Sequence, residues 1–398
     1  MTSKDSILSL ESIQFDLFMV LVFLVGAFDN RPGANYIQWA FIPFFAVSIL
    51  RFNKIHFTRE YKLIIIFVLW SFFSLVWTVS MDHSTERLQT VFLLGLLFIS
   101  ASTINFTDRL ARFDYTLLSF ILGTLFIIYL LRDVIGSASL ISMISDSERL
   151  KEDVANLNAV GKASAIGFLF CVYQIVSRKN RFYFVLLVLF LGIVLLTKSK
   201  SALLSTIIAG GFLFYKTFSG KVNKTKTFIV IAIIVGVIYY VISKGLLGDA
   251  FVRLINMFNF FTSGDESMDM STATRADFAF KGLKTFSESP ILGYGIGSSY
   301  KLLNGTYYHN NYVQLLVETG IVGFVLYYGL LLTLLVRLLK NKGDDTSYLL
   351  ASFLIVILFC DVTNTTYYHK INYVLYAIAV SYLNNRKYSN RNQKLIIE

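Results

Sequence analysis

Residues 312–363, YVQLLVETGIVGFVLYYGLLLTLLVRLLKNKGDDTSYLLASFLIVILFCDVT, decide the fold class. Two apolar runs, 312–336 and 347–363, flank a polar turn that carries Arg337, Lys340 and Lys342. A helix that crosses a bilayer needs about 20 predominantly apolar residues, and Lys and Arg collect in the cytoplasmic connections. The stretch therefore reads as two membrane helices joined by a cytoplasmic turn.

Outward from there the same pattern recurs. Apolar runs at 14–28, 34–50, 62–79, 88–104, 113–131, 157–177, 182–197, 201–218 and 227–247 precede it, and one at 367–383 follows, about twelve spans in all. The composition agrees: 55% apolar and 15% charged, with a mean hydropathy of +0.62, against about 45–50% and 25% in soluble chains. The fold class expected is an all-α polytopic membrane protein, with residues 1–398 as one membrane domain.

With the N-terminus in the cytoplasm, the even-numbered connections carry Arg51, Lys54, Arg59 and Lys62; Arg109 and Arg112; Arg178, Lys179 and Arg181; Lys216, Lys221, Lys224 and Lys226; and Arg337, Lys340 and Lys342. The tail 384–398 adds Arg386, Lys387, Arg391 and Lys394, whereas the short odd-numbered connections are poorer, with Arg31 after the first span, Arg87 after the third and Lys370 between the last two. Both termini are thus expected in the cytoplasm. The net charge of +11 would suggest nucleic acid in a soluble protein; here these loops absorb it, and no nucleic-acid partner is expected. Cys171 and Cys360 both sit in apolar runs, so neither a disulfide framework nor a cysteine metal site is indicated. The start, MTSKDSILSLESIQFDL, lacks the pattern of a cleavable signal peptide.

One connection is long. Residues 248–311 form an outer-side loop between the ninth and tenth spans, and long loops are usually functional. Within it ATRADFAFKGLKTFSES carries a helix-like apolar stripe through Phe278, Ala279, Leu283 and Phe286, ended by Pro290.

Candidate chemistry gathers on this outer side. His309 stands where the loop enters the tenth span. On a continuous helix it shares a face with Val313, Leu316, Gly320 and Gly323, and its imidazole suits a general base acting on a hydroxyl. An interfacial histidine above a small-residue packing face is the plainer reading. Arg275 and the pair Lys198 and Lys200, in LLTKSKSALL, break the charge trend and could clamp a diphosphate or contact lipid headgroups. ILGYGIGSSY, with Gly293, Gly295 and Gly297, lacks the strand and βαβ setting of a nucleotide loop and reads as a turn leading to His309. Asp265, Glu266 and Asp269 read as a solvated loop, and no metal or cofactor is expected. Asp29, Asn158, Asp361 and His369 read as structural, and Glu318 lies about 180° from His309 on an ideal helix.

The run from Arg275 to Gly323 resembles the core of the O-antigen ligase/polymerase superfamily, whose members are Wzy-like. There an arginine opens a loop helix, Ser-Pro-(Ile/Leu)-Leu-Gly-x-Gly follows, then His-Asn, nine residues and Gly-x-x-Gly. Here these are Arg275, SPILGYG at 289–295, His309 with Asn310, and Gly320 with Gly323. The resemblance departs after the seventh span, where Ser199-Lys200 replaces a Ser/Thr-Arg pair and the bidentate geometry of arginine is lost.

The resemblance implies a GT-C-like fold in the cytoplasmic (inner) membrane and an inverting, metal-independent glycosyltransferase active on its periplasmic or extracellular side. The donor implied is an oligosaccharide on undecaprenyl diphosphate, with Arg275, Lys200 and Lys198 on the diphosphate, His309 on the acceptor hydroxyl, and Asn310, Gly320 and Gly323 in support. Membrane lipids and a chain-length regulator protein are the other partners implied. A polymerase joins one repeat unit to another to make O-antigen or capsular polysaccharide; a ligase moves the finished polymer to lipid A-core. YYHNNYVQLLVETGIVGF, residues 307–324, looks closer to the polymerases. A transporter or flippase is the reading from a different class, and it is opposed by how few spans carry charges.

Overall fold

The computed structural model describes residues 9–29, 34–51, 57–106, 110–130, 156–197, 199–218 and 270–397. These are helical, with no strand among them. In chain order the helices are α1 (Leu10–Phe28), α2 (Asn35–Ile49), α3 (Arg59–Phe73), extended by a 3-10 turn at Ser74–Trp77, α4 (Met81–Ala101), α5 (Leu110–Leu130), α6 (Leu157–Val176), α7 (Tyr183–Leu196), α8 (Lys200–Phe218), α9 (Met270–Glu288), the short α10 (Ser299–Leu302), α11 (Asn311–Lys340), α12 (Asp345–Cys360) and α13 (Lys370–Ile397).

Each expected apolar segment within the described residues coincides with a helix; the segment 227–247 lies outside them. Among the described residues, four helices are long and apolar enough to cross a membrane: α1, α3 with its extension, α6 and α11; α2, α7 and α12 are apolar but shorter. The stripe before Pro290 forms α9 as expected. Two boundaries differ. α4 starts at Met81, so Arg87 lies inside the helix. α13 continues through the expected tail to Ile397, because residues 384–397 contain neither Gly nor Pro to stop it.

The chain divides into two compact units. The first comprises Met1–Ile127, Gly282–Lys340 and Thr365–Glu398, and the second Ile128–Lys281 and Asn341–Asn364.

In the first unit α1 packs on α2, α3 on α4 and α11, and α13 on α1, α4 and α11. Aromatic pairs fill the seams: Phe18 with Phe44 at 5.4 Å between centroids and Phe67 with Tyr327 at 5.6 Å. Three arginines that the charge pattern assigns to the cytoplasm, Arg51, Arg112 and Arg337, form ion pairs. Arg51 and Arg112 both pair with Glu11, and Arg51 Nη1 donates to Gln14 Oε1 at 2.6 Å. Arg337 bonds Glu60 at 2.5 Å. A buried cation is stable only when paired in this way.

In the second unit α6 is buried nearly all round, against α7, α8 and α12. Small residues permit the close packing: a Cβ on Gly161 would lie 2.7 Å from the Ala202 methyl, and one on Gly167 2.8 Å from the Phe190 ring. The Tyr173 and Thr346 hydroxyls join α6 to α12 at 2.9 Å.

Candidate active site

The chemistry of the first unit is organised by a break in α11. Gly320 has φ 64° and ψ −172°, far from helical values, in a region essentially reserved for glycine. The loop 289–297 fills the opening. The Tyr294 amide donates to the Val317 carbonyl at 2.8 Å, and the Pro290 carbonyl accepts from the Ile321 amide at 2.9 Å. The Val317 carbonyl and the Ile321 amide thus find partners outside the helix, as a buried backbone requires. A Cβ on Gly320 would run into the Ile291 carbonyl, and one on Gly293 (φ 68°) would lie 2.6 Å from the Gly320 amide nitrogen. SPILGYG is thus the piece that completes α11.

His309 does not share a helical face with Gly320 and Gly323, which corrects the expectation from spacing. α11 begins only at Asn311. Asn310 caps it, its Oδ1 accepting from the Tyr312 and Val313 amides at 3.0 and 3.1 Å. His309 precedes the cap in the left-handed region, φ 52°, so it projects from a turn. It is half-buried and packs on the Tyr307 ring at 4.0 Å between centroids. Gly323 keeps the expected packing role: its Cβ would come 3.1 Å from Trp70 of α3.

Glu318, fully buried two residues before the break, anchors the surrounding segments. Ser299 and Gln314 donate to its Oε1, and the Tyr367 hydroxyl to its Oε2 at 2.6 Å. Asn311 Oδ1 accepts from the Thr366 and Tyr367 amides, both at 2.9 Å, tying the 365–369 turn to the start of α11. Arg87 of α4 lies over this turn, its guanidinium carbon 3.9 Å from the Tyr368 centroid and 5.9 Å from that of Tyr367. Burial first, and then the Glu318 charge, push the Tyr367 phenol well above its ordinary range, with Arg87 opposing. Burial pushes Tyr368 up to about 12, again against Arg87. Asp29 caps α13, accepting from the Lys370 and Ile371 amides at 3.3 and 3.2 Å.

In the second unit Lys200 is the first residue of α8. Ser199 before it is buried and donates to Asn158 Oδ1 at 2.9 Å. Arg275 lies in the second turn of α9 and is half-buried. Lys198, Asp265, Glu266 and Asp269 lie outside the described residues. Of the expected site, His309, Asn310, Gly320 and Gly323 belong to the first unit, Lys200 and Arg275 to the second. A cavity of about 820 Å³ lined by Phe57, Arg59, Glu60, Val336 and Arg337 lies at the opposite end of α11 from His309.

Residues 185–328 match the family model described as O-antigen ligase. That match covers 144 of the 398 residues and supports the resemblance to the O-antigen ligase/polymerase superfamily. Members of this family are glycosyl-transferring enzymes, and the apolar helices agree with an integral membrane protein. No curated protein matches the chain. The O-antigen ligase match takes in Lys200, Arg275, the completing loop, His309, Glu318 and the helix break; Arg87, Tyr367, Tyr368 and Asp29 fall outside it. Reading the sequence passed over Glu318, although a carboxylate inside an apolar run is itself a signal. Arg87 gave less warning, because its aromatic partners lie 280 residues downstream.

Proposed function

We propose that this protein is a glycosyltransferase that polymerises undecaprenyl-diphosphate-linked oligosaccharide units at the outer face of the cytoplasmic membrane. The observation that carries the reading is that the family match encloses a half-buried histidine held on a capped turn at the mouth of α11. A neutral imidazole there takes the proton of the acceptor hydroxyl as its oxygen attacks the anomeric carbon. The bond to the diphosphate breaks on the opposite face of the sugar, so the configuration inverts. Arg275 and Lys200 hold the departing diphosphate and offset its developing charge; in this reading no metal takes part. The likeness of residues 307–324 to polymerases favours repeat-unit joining over transfer to lipid A-core.

The test is to express His309→Ala and Arg275→Ala in the native host and resolve the surface polysaccharide on a gel. A polymerase leaves single-repeat material or accumulated lipid-linked units. Long polymer accumulating on undecaprenyl diphosphate means a ligase instead. Wild-type polysaccharide from both variants overturns the assignment, and loss of activity with chelators overturns the metal-independent mechanism.

A further inference from the structure

Arg87 has no part in the chemistry assigned to His309, Arg275 and Lys200. It lies in the second turn of α4, half-buried, and among the described residues its guanidinium contacts are aromatic. The plane sits 3.9 Å from the Tyr368 ring centroid, within the range of a cation–π contact. Among the described residues no acceptor bonds any of its N–H groups, although a guanidinium presents five donors. Glu318 does not take that place, being occupied by Ser299, Gln314 and Tyr367.

The platform beneath Arg87 is fixed. The Tyr367 amide is held by Asn311 at 2.9 Å, and its carbonyl accepts from the Tyr373 hydroxyl at 2.8 Å. Asn311 follows the Asn310 cap, and Tyr307, which packs on His309 at 4.0 Å, lies close enough to Tyr368 to act on its ionisation. Asn311, which holds the Tyr367 amide, stands two residues after His309, so Arg87 and His309 flank the same junction of the first unit.

We propose that Arg87 is an anion-binding group of the His309 site and receives a phosphate of the lipid diphosphate donor on its free N–H edge, with Tyr368 supporting the guanidinium plane. A planar guanidinium stacked on one face and open at its edge suits bidentate capture of a phosphoryl group. This deepens the proposed function and rests on it. It gives the unit that carries His309 a cation of its own, outside the segment that the family match covers.

The experiment measures binding of undecaprenyl diphosphate, with undecaprenyl alcohol as the control, to the full-length protein in lipid nanodiscs. Arg87→Ala is expected to weaken diphosphate binding by about 10- to 100-fold, and Arg87→Lys to restore only part of it, since an ammonium does not reproduce the stacked fork. His309→Ala is expected to bind as the wild type does while losing polymer. If Arg87 serves only to offset the buried Glu318, the double variant Arg87→Ala/Glu318→Gln regains both monodisperse folding and full diphosphate binding, and the proposal falls. It also falls if Arg87→Ala binds as tightly as the wild type while His309→Ala abolishes polymer, in which case the proposed function stands without it. A wild-type protein that binds diphosphate no better than the alcohol overturns the donor assignment and this inference together.

Discussion

Gly320→Ala provides the sharpest test of the broken helix. In an unbroken α11 the substitution would stabilise the protein, since alanine is favoured over glycine in a helix interior by about 1 kcal/mol. The observed backbone reverses the sign. At φ 64° and ψ −172° an alanine costs about 1–3 kcal/mol in backbone strain alone. Its methyl would also run into the Ile291 carbonyl and come 2.8 Å from the Leu292 amide nitrogen, both backbone atoms that no rotamer change can move. Relief requires the 289–297 loop to withdraw, which gives up the Tyr294–Val317 and Pro290–Ile321 hydrogen bonds at about 0.5–1.5 kcal/mol each. The total loss is about 2–6 kcal/mol. Gly329 provides the control: a Cβ there meets only a Leu63 methyl at 3.9 Å, so Gly329→Ala is expected to be neutral or slightly stabilising. Both variants can be compared by reversible unfolding in mixed micelles with increasing SDS. A Gly320→Ala protein as stable as the wild type would refute the account of the break.

Glu318→Ala removes the carboxylate that accepts from three buried donors and should cost about 3–5 kcal/mol, seen as loss of monodisperse protein on size exclusion; Glu318→Gln should cost less. Asp29→Ala removes the cap of α13 and should lower stability by about 0.5–2 kcal/mol, with Asn retaining most of it. Trp70→Phe deletes the indole bond to the Thr319 carbonyl at 2.9 Å, a loss of about 1 kcal/mol in the same micelle titration. Tyr368 ionises at about 12 in the fold against 10.0 unfolded. The raised value means that its contribution is complete below pH 10 and disappears as pH rises to 12, at about 1.4 kcal/mol per pH unit. Tyr368→Phe should flatten the alkaline limb of the stability profile by that amount, and an unchanged profile would count against the packing of this turn.

The helices of this protein were legible because lipid imposes one simple demand, a run of apolar residues. The stripe in α9 was legible for the same reason on a smaller scale. What stayed hidden depends on tertiary partners. Gly320 looks from sequence like any small residue in a membrane helix; only the docking of Pro290 and Tyr294 makes its backbone turn aside. His309 was placed on a helical face because the apolar run was extended backwards through Asn310. Asparagine before such a run is a capping signal, and reading it so would have put His309 outside the helix. The 180° separation of Glu318 from His309 was computed on that same unbroken helix. Arg87 was counted as an exception in a charge pattern, since charge bookkeeping sees neither the aromatic turn beneath it nor the carboxylate beyond that.

The completed break in α11 also bears on how the chain is made. Tyr294 and Pro290 are synthesised before Val317 and Ile321, only some two to three dozen residues ahead of them. When the segment after Asn311 leaves the ribosome, its open carbonyl and amide need partners before they can rest in hydrocarbon. The loop that supplies them is already translated and close along the chain, so α11 and its preceding loop mature as one hairpin-like assembly intermediate. A ribosome stalled between Gly297 and Gly320 would present a loop without its helix, and a truncation that removes the loop would leave a helix that cannot settle in the bilayer.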